Sequence, residues 1–158
     1  MRGRSEAVKI AEALLLRADL KKKLASLRER IGANALVQEK EKPHEDPTKL
    51  IKEAVGVLGE LEDIGLRIDR ANQSTKLADG RALATAVAHR DTLAQHHSLL
   101  LSAIAASRKE PDRYSMKEIK WVATLEVAKL QKQSDDLAKQ LREINAAIQS
   151  TNWQADID

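Results

Sequence analysis

Apolar side chains recur at alternating steps of three and four along four long stretches of this chain. That spacing lines them up on one side of an α-helix, so each stretch reads as an amphipathic helix with a narrow stripe to bury. The first helix spans about residues 5–31, with Ser5 as N-cap and Gly32 as its stop. Its stripe is Ile10, Ala13, Leu20, Leu24, Leu27 and Ile31, and Arg17 occupies the one missing place. The second helix spans about 47–74, begun by Asp46-Pro47, with Leu50, Ala54, Val57, Leu61, Ile64, Ile68 and Ala71 in register. Gly56, Gly59 and Gly65 each cost it about 1 kcal/mol relative to Ala, a loss that close approach of another helix would offset.

An Asp79-Gly80 turn precedes the third helix, about 81–107, so the second and third helices form a hairpin. Its stripe holds Leu83, Val87, Leu93, Leu100 and Ile104, with Arg90 and His97 where apolar residues belong. The fourth helix, about 124–150 with Thr124 as N-cap, carries Val127, Leu130, Leu137, Leu141, Ile144 and Ile148, with Ser134 in the gap. The tail Thr151-Asn152-Trp153 is expected to dock its indole back onto the body. Residues 118–122 alternate as a short strand does, and a strand needs a partner for its backbone groups. Ala35-Leu36-Val37-Gln38 is the candidate partner, which predicts a small two-stranded ribbon of 35–38 with 118–122. The expected class is all-α over a single domain, 1–158: four long amphipathic helices in antiparallel hairpins, bundle- or coiled-coil-like, plus that ribbon.

Composition narrows the chemistry. Apolar residues make up 42% and charged residues 32%, a balance suited to helices divided between core and water. The aromatics are Tyr114, Trp121 and Trp153, so the core must be aliphatic. The lack of cysteine excludes disulfides, thiolate metal sites and cysteine nucleophiles. The first residues read as charged helix rather than export signal, which makes a cytoplasmic location the expectation. The longest apolar-leaning stretch, Leu99 to Ala106, falls far short of the roughly 20 residues that span a bilayer.

Charge is uneven: residues 1–31 hold nine Lys or Arg against four acids, and residues 32–80 hold seven against ten. Lys21, Lys22, Lys23 and Arg28 could follow a phosphate backbone, yet no aromatic lies nearby to stack a base. Pairing with the acidic second segment is the simpler use of that charge.

His89, His96 and His97 are the candidate metal ligands or acid–base groups. Helical ligand pairs need steps of three or four, a spacing these three lack, so no metal site and no cofactor are expected. Arg17, Arg90 and His97, lying within apolar stripes, need acceptors. With Asp91 they suggest a buried interhelical polar network, or an anion pocket. Gly-x-Ser-x-Gly and phosphate-binding glycine loops are missing, which leans the reading away from enzymes. Ile119, Trp121 and Trp153 are candidate interface residues.

The chain resembles a family of small uncharacterised bacterial helical proteins, some of whose members are labelled septicolysin. The resemblance rests on Ala11-Glu12-Ala13-Leu14-Leu15-Leu16-Arg17-Ala18-Asp19-Leu20, Asp79-Gly80-Arg81-Ala82-Leu83, Arg90-Asp91, Arg113-Tyr114-Ser115, Ile119-Lys120-Trp121-Val122 and Asn152-Trp153. The label implies a pore-forming, membrane-lytic toxin. The residues themselves point first to a non-enzymatic, homo-oligomeric interaction or scaffold protein. A nucleic-acid-associated protein working through the basic first helix is the alternative, and a metal- or anion-binding protein is a further one.

Overall fold

The computed structural model describes residues 8–108 and 121–157. Within them the chain runs β1 (Val8–Lys9), α1 (Ile10–Asn34), α2 (Pro47–Ser74), α3 (Leu83–Ala106), α4 (Val127–Gln154) and β2 (Asp156–Ile157). The described residues are mostly helical, with four helices and one small antiparallel sheet. Two compact units emerge, Met1–Lys76 with Gln149–Asp158, and Leu77–Ile148.

In the first unit, α1 lies against α2. Lys23 pairs with Glu53 at 3.0 Å, and Arg30 pairs with Glu45 just ahead of α2. These pairs advance in opposite directions along the two segments. Ile10, Ala13, Leu20 and Leu27 of α1 are buried, as are Leu50, Ala54, Val57, Ile64, Ile68 and Ala71 of α2. The start of α2 follows expectation, with Asp46 Oδ1 accepting from the Thr48 N–H at 2.9 Å and Pro47 in the first turn. Around Gly56, Gly59 and Gly65 an added Cβ would meet nothing within 4 Å. The close approach expected there is missing, so the helix-propensity cost stands.

The first helix differs from expectation at both ends. Ser5 lies outside the described residues, and Val8–Lys9 is extended, so the helix starts at Ile10. The Lys9 N–H donates to Glu12 Oε2 at 2.8 Å, a cap set from inside the first turn. Gly32 does not stop the helix, since its φ is not positive. The stop is Asn34, whose Nδ2 donates to the Arg30 carbonyl at 2.9 Å while its Oδ1 accepts from the Glu45 N–H at 3.0 Å. This buried amide ties the end of α1 to the approach to α2.

The ribbon is also elsewhere. Residues 35–38 are not a strand, because the chain turns: the Glu41 N–H donates to the Gln38 carbonyl at 3.0 Å and Lys40 takes a φ of 74°. Residues 118–120 lie outside the described residues, and Trp121–Val122 are irregular. The sheet instead pairs Val8 with Ile157 and Lys9 with Asp156, and the Ile10 N–H continues it onto the Ala155 carbonyl at 3.0 Å. The two ends of the described chain thereby clasp each other.

In the second unit, Leu77 donates its N–H to the Arg81 carbonyl at 2.9 Å and accepts from Gly80, whose φ of 85° suits a residue without Cβ. That turn launches α3. Leu83, Ala86, Leu93, Leu100 and Ile104 of α3 are buried, as are Ser134, Leu137 and Ile144 of α4. The fourth helix begins at Val127 rather than Thr124 and continues to Gln154, four residues past the expected end. Trp153 is therefore helical and more than half exposed, and its indole is not docked as expected. Among the described residues, no helix is long and apolar enough to cross a membrane.

Candidate functional site

Two features of the fold bear on function: a polar cleft in the second unit and an apolar stripe on α2 in the first. The cleft, of about 240 Å³, is lined by Arg81 from the turn ahead of α3, by His89 and Leu93 from the first half of α3, and by Gln140, Glu143, Ile144 and Ala147 of α4. The α4 members stand at steps of three and four, one face of that helix. Arg81 is fixed by Asp79, whose Oδ2 accepts from its Nε at 2.8 Å and whose Oδ1 accepts from its N–H at 3.0 Å. These bonds hold the Asp79 carboxyl below its usual range and raise the Arg81 guanidinium. The cleft has an apolar floor and a rim of both charge signs, which could orient a small polar molecule. Among the described residues, no three His, Asp or Glu converge as a metal would need.

Sequence had singled out further residues, and they fall in both units. Arg17 stands in the first unit; Arg90, Asp91 and His97 stand in the second. None of the four is fully buried. Arg90 reaches its own neighbour, with Nη2 at 2.6 Å and Nε at 2.9 Å from Asp91 Oδ1, instead of an acceptor on another helix. That pair is local to α3 and partly open to water. His89 enters the cleft lining, whereas His96 and His97 do not. Trp121 lines a separate hollow of about 410 Å³ with Ala103, Ala106 and Thr124, and Ile119 lies outside the described residues.

The basic residues of α1 are partly neutralised at home. Lys23 pairs with Glu53, and Lys22 sits 3.7 Å from Asp19. Lys21 and Arg28 are exposed without an ion pair among the described residues.

Sequence reasoning missed the second stripe of α2. Ile51, Val55, Leu58 and Leu66 are 50%, 61%, 48% and 49% exposed. Ile51, Val55 and Leu58 each follow a buried member of the core stripe by one residue, so this stripe is turned roughly 100° from the core. Its signal was present as a second run of four-and-three steps beside the first.

Arg30 and Glu45 supply the clearest titration. Arg30 donates to Glu45 through Nε at 2.9 Å and through Nη2. This bidentate contact holds the Glu45 carboxyl below its ordinary value. A carboxyl lowered on folding stabilises the fold fully above its unfolded value, about 4.3, and loses that contribution as pH falls through the lower folded value. Asp79 acts with the same sign. Melting temperature should therefore fall as pH drops below about 4, and Glu45→Gln should flatten that part of the curve in calorimetry.

The fold defines a mostly helical protein with a terminal clasp, and residues 17–157 place it in a family: the chain belongs to the family of unknown function DUF6847. The crystal structure of a functionally unknown conserved protein from Corynebacterium diphtheriae is similar to it, with a TM-score of 0.88 and 32% identity. That likeness covers 97% of this chain and 100% of the other. No curated protein matches. These likenesses establish no function, and neither carries the septicolysin label.

Proposed function

We propose that this chain is a non-enzymatic helical interaction protein of the cytoplasm that assembles with itself, its helices pairing as antiparallel, coiled-coil-like hairpins. The observation that carries this is the exposed stripe Ile51, Val55, Leu58 and Leu66 on α2. Large apolar side chains held open to water at helical spacing favour a partner helix. The lytic role implied by the septicolysin resemblance fits this stripe less well. Glu62 interrupts it, and Lys52 and Asp63 flank it, so its surface would carry charge into a lipid interface. A nucleic-acid role would rest on Lys21 and Arg28, two exposed cations, while Lys22 and Lys23 are engaged by Asp19 and Glu53. Light scattering across a concentration series tests the proposal: a mass that is a multiple of the chain is expected, and a monomer at every concentration overturns it.

A further inference from the structure

We infer that the exposed side of α2 seats a second copy of this chain, with the two α2 helices running in opposite directions across a two-fold axis between Val55 and Gly59. The inference rests on the self-association reading above and names its surface and register. Charge placement selects the occupant. Lys52 and Asp63 are both exposed, and neither has an ion pair among the described residues. They are eleven residues apart, about three helical turns, and therefore share one edge of the stripe. An axis midway between them brings each Lys52 opposite the partner subunit's Asp63, twice over by symmetry.

Packing agrees with that register. Gly59, at the same edge, leaves an open notch where an added Cβ would meet nothing within 4 Å. The axis places the partner subunit's Val55 against it. The helix-propensity cost of Gly59 has no compensation within one copy and gains one across this contact. Ile51 and Leu58 then fill the space on the core side of the axis, giving an apolar centre with a charged rim.

Sedimentation equilibrium on the full chain tests the surface, with circular dichroism confirming that each variant keeps its helix content. Wild type is expected to dimerise. Val55→Glu should raise the dissociation constant by about 100-fold or more, since it places a charge in the apolar centre. Lys52→Asp should raise it by about 10-fold. The double change Lys52→Asp with Asp63→Lys should return it to within about 3-fold of wild type, as a restored pair does. An oligomer indifferent to Val55→Glu overturns the surface while leaving self-association standing. Dissociation by Val55→Glu without rescue by the double change overturns the register. A monomeric wild type overturns both readings, and one destabilised by Val55→Glu would assign the stripe to a cover within its own chain.

Discussion

Leu27→Ala is expected to lower stability by about 2 to 5 kcal/mol. Leu27 is 1% exposed, on the side of α1 that lies against α2. Removing its branched end forfeits the transfer of that surface from water and leaves a hole that two paired helices close only in part. Leu15 on the same helix is 58% exposed, so Leu15→Ala should stay within about 0.5 kcal/mol of wild type. Urea titration of the two variants separates them, and calorimetry should place the Leu27→Ala midpoint roughly 10 °C lower. Equal costs at the two positions would mean that α1 is not held by its buried stripe.

That contrast marks what periodicity can and cannot reveal. The middle of each helix was legible because burial repeats with the helical turn: the expected stripe of α2 contains its buried residues Leu50, Ala54, Val57, Ile64, Ile68 and Ala71. The start of α2 was legible too, because Asp46 and Pro47 act on adjacent backbone groups. Ends governed from a distance were not. Asn34 stops α1 through an amide that bonds eleven residues onward to the Glu45 N–H, and nothing in a local window distinguishes such an Asn from a surface one. The strand pair joins Val8 to Ile157 across almost the whole chain. Two-residue strands carry no alternation, so the longer alternating run near Trp121 drew the expectation instead.

Chemistry was less legible than fold. A charged residue inside an apolar stripe suggests a buried partner, but long side chains turn their heads toward water while their stems stay on the stripe. Arg90 does this and meets Asp91. His89 gained a setting only from Glu143 and Gln140 on a helix some fifty residues away. The α2 stripe was missed for another reason: reading one apolar seam per helix assigns every further aliphatic residue to chance, and Ile51, Val55 and Leu58 then pass as scattered surface residues.

The clasp sets two kinds of interaction side by side, and their magnitudes decide which one holds it. Lys9 Nζ lies 2.6 Å from Asp156 Oδ1 and 3.0 Å from the Gln154 carbonyl. Both charged side chains remain well exposed, at 35% and 50%, and water screens such a pair to about 1 kcal/mol or less. Ile10 is the next residue and is 0% exposed, while Ile157 on the facing strand is 5% exposed. Burial of a side chain of this size is worth roughly 1.5 to 3 kcal/mol in transfer alone, before any cavity is counted. Ile10→Ala should therefore cost about 2 to 5 kcal/mol, several times the cost of Lys9→Ala. The backbone pairing is common to both variants, since the Ile10 N–H reaches the Ala155 carbonyl whichever side chain is present. Hydrogen exchange at the Ile10 and Ile157 amides, read beside urea midpoints, gives the answer directly. Faster exchange and a lower midpoint in Ile10→Ala, with little change in Lys9→Ala, show that apolar burial closes the chain ends. The reverse order would assign the closure to the ion pair.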